Sequence, residues 1–334
     1  MATIYQVSEL AGVSLATVSR VVNKNARVSD ATRQKVLSAM KELGYRPNTI
    51  AQSLASNRSN SVGILVSELN GLFYSQMMSG IEEKLRASDK HVIIAASHSK
   101  QAEEIDGIEF LISRCCDALI LHVESVSDEY LVELSKGSTP IVLINRYIPE
   151  IADRCIRLDN EIGGYVSAKA LLDKGHRQTA YIAGPLWKTD ASDRFNGYKR
   201  ALDEHHIEFS DTLFYEGDYA ETGGEKGLEF LLKQSEHFTG LVCANDNMAS
   251  GAMTKAREKG LDLPADLSIV GFDNVIFANH LYPKLSTVHY PLGRMATATA
   301  NWVLQNVYMQ ETPSIQHLFE PEFISRDSIA TIKN

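Results

Sequence analysis

Apolar positions between residues 3 and 43 recur every three to four residues, and from residue 62 onward they gather into short, nearly continuous runs. The first pattern predicts three short helices. Thr3 can cap the first, whose apolar stripe is Ile4, Val7, Leu10 and Ala11. Gly12 and Val13 make a tight turn, and Ser14 caps the second helix through its side-chain oxygen. On that helix Val18, Val21 and Val22 lie three and four apart and face inward, which turns Leu15, Ala16, Ser19 and Arg20 outward. Ser29 or Asp30 caps the third helix. Val36, Leu37, Met40 and Leu43 are expected on its buried face, and Gly44 stands where a left-handed residue ends it. A brief helical segment is expected at 48–56, too short to persist alone, followed by a polar linker at 57–61.

The second pattern predicts strands at 62–67, 91–96, 118–123, 140–145, 155–159, 179–184, 240–244, 267–272 and 286–290. Helices are expected near 74–88, 101–114, 128–135, 160–174, 191–205, 222–234, 246–259 and 292–309. Apolar strands alternating with helices mean buried parallel sheets, and these are too many strands for one compact sheet of that kind. The expected fold is an all-α helix-turn-helix headpiece plus an α/β body of two Rossmann-like lobes, with ligands at the carboxyl ends of the strands. The predicted division is a headpiece at 1–47, a hinge helix and linker at 48–61, and an effector-binding and dimerisation domain at 62–334. Its first lobe takes about 62–160 plus 292–318, and its second about 161–291 plus 319–334.

Charge separates the same parts. Residues 1–60 hold eight Lys/Arg against three acids, a net of +5, so residues 61–334 carry −14 of the chain's −9. A basic head on an acidic body suits a polyanion-binding module, and a short helix presenting small groups and one Arg suits the major groove of DNA. Met1 to Tyr5 lacks the basic and apolar segments of a secretory signal, and no apolar run approaches the ~18 residues of a membrane span. A cytoplasmic protein without membrane contact is therefore expected. Cys115, Cys116, Cys155 and Cys243 do not match zinc spacing and read as reduced thiols. His122, His176 and His289 read as hydrogen-bonded structural residues, so neither metal nor cofactor is expected. Nucleophile-elbow, phosphate-loop and dinucleotide fingerprints are lacking, which argues against an enzyme.

The stretches AGVSLATVSRVVN (11–23), VSDATRQKVLSAMKELGYRPN (28–48), AQSLAS (51–56), DKGHRQTAYIAGP (173–185), ANDNMASGAM (244–253), LSIVGFDN (267–274) and YPKLSTVHYP (282–291) occur in order. Together they resemble the lactose/galactose repressor family of bacterial transcription factors, from residue 2 to about 330. VLINRYIPEIADRCIRLDN (142–160) and DASDRFNGY (190–198) look most like its galactose-responsive members. The resemblance implies a homodimer, or a tetramer, on a near-palindromic double-stranded operator, with a body like periplasmic sugar-binding proteins. It gives Arg20 to base and phosphate contact and Leu15 and Ala16 to reading sequence, and it makes Leu54 a wedge in the minor groove. Thr3, Ser14, Thr17, Ser19, Asn23, Asn48 and Ala51 complete the expected DNA-binding set.

For the effector, the resemblance selects Phe73, Tyr74, Asn145, Arg194, Tyr219, Asn245, Asp273 and Tyr290. Asn145, Asn245 and Asp273 also stand at strand ends, where a cleft is expected. Carboxylate, amide and guanidinium groups can bind several hydroxyls, and the aromatics can pack on a sugar ring or a flat base. Arg194 and Asp273 could instead form a salt bridge between lobes. The expected effector is a monosaccharide of galactose type that releases the protein from DNA. A β-glucoside, ribose or a purine corepressor stays open, an α/β enzyme is the remaining alternative, and the missing export signal and basic head argue against a plain sugar-binding protein.

Overall fold

The computed structural model describes residues 2–22, 28–46 and 58–332, and the chain divides into two compact units, residues 1–60 and 61–334. In the first unit α1 (Ile4–Ala11), α2 (Leu15–Val22) and α3 (Asp30–Glu42) pack around Val7, Val18, Val21, Val36 and Ala39. The local chemistry explains each boundary. Thr3 accepts from the Gln6 amide while the Gln6 side chain accepts from the Thr3 amide, a reciprocal capping box. Gly12 ends α1 at φ 65°, a left-handed conformation that favours glycine. Ser14 accepts from the Thr17 amide, and Ser29, rather than Asp30, caps α3 through the Thr32 amide. Two expected core residues differ: Leu10 is 46% exposed and Leu37 is 44% exposed. Three helices this short need only a narrow stripe to close their core, and on α3 the buried positions are Val36 and Ala39.

The second unit contains two six-stranded sheets. The first lobe is built from β1 (Ser61–Val66), α4 (Leu72–Arg86), β2 (His91–Ala96), α5 (Gln101–Ser113), β3 (Ala118–Leu121), α6 (Asp128–Leu134), β4 (Ile141–Ile144) and β5 (Cys155–Leu158). The chain crosses to the second lobe through α7 (Asn160–Leu172), β6 (Thr179–Ala183), α8 (Thr189–Glu204), β7 (Phe214–Glu216), α9 (Glu221–Leu231), β8 (Gly240–Cys243), α10 (Asp246–Glu258), β9 (Ser268–Asp273) and β10 (Ser286–His289). It returns in α11 (Leu292–Asn306) and β11 (Leu318–Phe319), then crosses again to end in β12 (Glu322–Ile324).

Strand order is β11-β5-β4-β3-β1-β2 in the first sheet and β12-β10-β9-β8-β6-β7 in the second. All pairings are parallel except β10 with β12. Apart from half-buried Ser61 at the start of β1, the central strands are buried end to end, as parallel strands covered by helices on both faces must be. Three strands, β7, β11 and β12, hold two or three residues each and were not foreseen. Such lengths carry no periodicity to read. Two residue pairs set how closely helices approach. A Cβ on Gly164 would lie 1.8 Å from the Arg194 carbonyl oxygen, and one on Gly197 would lie 1.9 Å from that of Glu161, so α7 and α8 meet backbone to backbone.

Candidate functional site

In the headpiece, α2 buries Val18 and Val21 and leaves Leu15, Ala16 and Arg20 exposed at its surface. Ser14 is exposed and Thr17 and Ser19 half-buried, and the Ser14 and Thr17 hydroxyls are 2.9 Å apart. Thr3 is engaged in its capping box. Asn23, Asn48, Ala51 and Leu54, with the expected 48–56 helix, lie outside the described residues.

In the body, a cavity of about 470 Å³ opens between the two lobes. Its walls are the carboxyl ends of the strands, where helix and strand backbones diverge. Phe73, Tyr74, Asn145, Arg194, Tyr219, Asn245 and Asp273 all line it. Phe73 and Tyr74 stand in the first turn of α4, with ring centroids 5.3 Å apart and nearly perpendicular. Tyr219 closes the opposite side, its ring lying where a Cβ on Gly184 would be. Asn145, Tyr219 and Asp273 adopt φ of 62°, 67° and 106°, and such backbone conformations persist only where the surroundings enforce them.

The Arg194 guanidinium is the anchor of the second lobe. Its Nε donates to Asn160 Oδ1 at 2.9 Å and its Nη1 to the Ala244 carbonyl at 2.6 Å, while Cζ lies 3.7 Å from the Phe272 ring centroid. Asp273 Oδ1 sits 3.7 Å from Nη1, close enough to pair but too far to hydrogen-bond. Both residues belong to the second lobe, on α8 and β9, so the pair does not bridge the lobes as the sequence allowed. Burial pushes the Asp273 carboxyl up to about 7, with Arg194 opposing the shift and the Asp190 charge reinforcing it. Three buried polar atoms of the wall, His122 Nε2, Tyr219 Oη and Asp273 Oδ1, have no hydrogen-bond partner within the protein. Buried polar groups of this kind cost about 1–3 kcal/mol each unless something satisfies them.

Two expected ligand residues have other occupations. Tyr290 is buried behind the wall, where its hydroxyl donates to Asn145 Oδ1 at 2.5 Å and its ring meets Phe73 edge-on at 5.1 Å. It therefore orients Asn145 and leaves the Asn145 amide nitrogen for a ligand. Asn245 caps α10 by accepting from the Met248 amide and donates to the Tyr219 carbonyl, so both ends of its side chain are used.

Other wall residues were not singled out from sequence. Glu68, Ser99, Glu124, Lys188, Asp190, Asp218, Glu221 and Asn247 also line the cavity, as does His122, for which the sequence suggests only a structural role. His122 follows β3, and its ring meets Phe73 and Tyr74 edge-on at 6.0 and 5.5 Å. Most of these residues stand just beyond a strand, so the strand-end rule applied to every strand would have found them. Asp246 acts one layer deeper: its Oδ1 accepts from the Thr287 hydroxyl at 2.6 Å and its Oδ2 from the Val275 amide at 2.9 Å. This fixes the turn that presents Asp273.

A second cavity on the cleft, of about 520 Å³, shares Asn145 and Asp190 with the first. Its Arg146 donates to Asp128 and to the carbonyls of Val123 and Val126, bracing the loop after β3. Among the described residues no group of three or more His, Cys, Asp or Glu is placed to hold a metal ion.

The geometry has close relatives. Residues 3–48 match the model of the bacterial regulatory proteins of the lacI family, and residues 168–329 match a periplasmic binding protein-like domain. The chain is 37% identical to the HTH-type transcriptional regulator GalR of Salmonella typhimurium (strain SL1344), over 99% of this chain and 97% of that protein. It is 36% identical to GalS of Salmonella typhimurium (strain LT2), over 100% of this chain and 98% of that protein. In structure it resembles the lac repressor dimer bound to operator and the anti-inducer ONPF, with a TM-score of 0.87 at 28% identity, covering 98% of this chain and 99% of that one. A headpiece with an exposed recognition helix, a two-lobed body around a strand-end cavity and relatives matched end to end lead to one assignment: the chain belongs to the lacI family of bacterial regulatory proteins and is a DNA-binding transcriptional regulator, not an enzyme.

Proposed function

We propose that the protein is a cytoplasmic repressor of sugar-utilisation genes that binds its operator as a homodimer and is released by a small neutral sugar of galactose type. The observation that carries the effector class is the charge of the cavity. Six acids line it, Glu68, Glu124, Asp190, Asp218, Glu221 and Asp273, against Lys188 and Arg194. Both cations are engaged, Lys188 by Glu124 and Arg194 by Asn160, the Ala244 carbonyl and Asp273. Such a wall repels phosphate and carboxylate ligands. It offers hydroxyl groups an acceptor at Asp273, donors at Asn145 and Tyr219, and aromatic faces at Phe73 and Tyr74. Calorimetry with D-galactose and D-galactose 6-phosphate tests this reading. Galactose is expected to bind, with the phosphate ester weaker by a factor on the order of 100. Equal or tighter binding of the ester contradicts it.

Affinity should depend on pH with a definite sign. Sugar hydroxyls donate to the ionised form of Asp273, whose carboxyl is pushed up to about 7 by burial, so binding below that pH must first expel a proton. Galactose is expected to bind about tenfold more weakly at pH 6 than at pH 8. Fluorescence titration across that range checks it, and a flat profile removes Asp273 from the ligand contacts.

On the DNA side, Leu15 and Ala16 offer apolar contact to thymine methyls, and Arg20 offers a charge-assisted contact. Arg20→Ala is expected to weaken operator binding by about 1–3 kcal/mol and to reduce its salt dependence, measured by fluorescence anisotropy at two ionic strengths.

A further inference from the structure

The lobes meet at the cavity through a largely buried ion pair, and the sugar reading uses its charge balance but not the fact that it spans the two lobes. Glu124 follows β3 in the first lobe, and Lys188 precedes α8 in the second. Lys188 Nζ lies 2.7 Å from Glu124 Oε2, with the two side chains 12% and 13% exposed. The same Oε2 accepts from Ser99 Oγ at 2.5 Å and from Ser67 Oγ at 3.3 Å, and Lys188 Nζ also reaches Ser99 Oγ at 3.5 Å. Segments that follow three strands of one lobe thus converge on a single oxygen and present it to a cation of the other.

The first-lobe half is built independently of its partner. Glu104 is fully buried on α5, and its carboxylate accepts from the amides of Glu124, Ser125 and Val126 at 2.7 to 3.1 Å. Arg146 holds the same loop through the Val123 and Val126 carbonyls. The loop is therefore set by contacts inside the first lobe. Burial alone would raise the Glu124 pKa, but the electrostatic influence of His122 and Lys188 and the hydrogen bonds from Lys188 and Ser99 outweigh it and hold it low. A pair this buried stabilises only at contact distance. Once the lobes part, both charges return to water and the attraction falls away. Contacts of this kind have two discrete arrangements rather than a graded one.

We propose that Glu124 and Lys188 form an interlobe latch that stabilises the closed cleft and sets how long it stays shut over a ligand. They are positioning residues, acting through the lobes and not by touching the sugar. The part that concerns a bound ligand rests on the sugar reading, and the part that concerns the lobes does not.

Hydrogen exchange on the full-length protein without sugar tests the second part, comparing wild type with Glu124→Gln, Lys188→Met and the double variant. Faster exchange is expected at cavity segments away from the pair, residues 70–75 in one lobe and 217–223 in the other. The double variant should open the cleft no further than the single ones, because losing either partner already breaks the bond. The double variant also leaves no unpaired buried charge, so it reports even where a single one fails to fold. Faster exchange confined to 122–126 and 186–190, or a double effect equal to the sum of the single ones, overturns the latch.

Dissociation of D-galactose, followed by the fluorescence of the exposed Trp187 beside Lys188, tests the first part. All three variants are expected to release it about tenfold faster. An altered ranking of sugars with unchanged release would make Glu124 a ligand contact and overturn the proposal. If wild type itself binds no galactose, the sugar reading fails, and the exchange experiment still decides the latch.

Discussion

Asp273→Ala is expected to abolish the response to sugar while leaving operator binding in the absence of sugar intact. The carboxylate is presented by the last residue of β9, in a backbone held at φ 106°. Asp246 fixes the turn from beneath through the Val275 amide and the Thr287 hydroxyl, and Arg326 donates to Asn274 Oδ1 from the side. That surrounding frame does not depend on the Asp273 side chain, whose Oδ1 has no hydrogen-bond partner in the protein. Removing it deletes an acceptor for hydroxyl groups and one ion-pair partner of Arg194, which keeps its hydrogen bonds to Asn160 and the Ala244 carbonyl. Charge-assisted hydrogen bonds are worth about 1.5–3 kcal/mol each, so two lost contacts weaken sugar affinity by a factor on the order of 100 to 10,000. Calorimetry on the variant measures this, with operator anisotropy as the control. Loss of operator binding together with sugar binding would mean that Asp273 holds the fold.

Glu104→Ala is expected to cost the body about 3 kcal/mol and to lower its melting temperature by roughly 6–12 °C. The substitution leaves the amides of Glu124, Ser125 and Val126 without their shared acceptor inside the lobe. It also releases the loop that carries Glu124, so sugar affinity should fall even at temperatures where the variant stays folded. Urea unfolding followed by circular dichroism measures the first effect and calorimetry the second. A loss below about 1 kcal/mol would show that water replaces the carboxylate and that the loop holds itself.

How far the sequence spoke for the structure depends on how local the causes are. The headpiece was legible because its boundaries are set within four residues: Thr3 with Gln6, Ser14 with Thr17, Ser29 with Thr32, and Gly12 at the one left-handed position of its turn. The buried strands were legible because burial on both faces leaves unbroken apolar runs such as Ile141–Ile144. Asn145, Asn245 and Asp273 line the cavity because they stand at strand ends, a position the sequence shows, whereas Phe73, Tyr74, Arg194 and Tyr219 are pointed to only by the family resemblance. The contacts that organise the wall were not legible. Glu104 meets its amides 20 to 22 residues away, Asp246 meets Thr287 41 residues away, and Tyr290 meets Asn145 across 145 residues. None of these leaves a trace in periodicity or composition. Leu10 and Leu37 were misplaced for a related reason, because helical spacing gives the direction of a stripe but not its width.

One chain is expected to read DNA with its head and a neutral sugar with its body, each opposing the other. The most direct measurement is the anisotropy of a labelled palindromic operator from the protein's own promoter region, titrated with D-galactose at two salt concentrations. Tight, salt-sensitive binding that galactose weakens is expected, with a coupling of about 1–3 kcal/mol that appears equally in the sugar's affinity for the DNA-bound protein. Operator binding that galactose leaves unchanged or strengthens would contradict it.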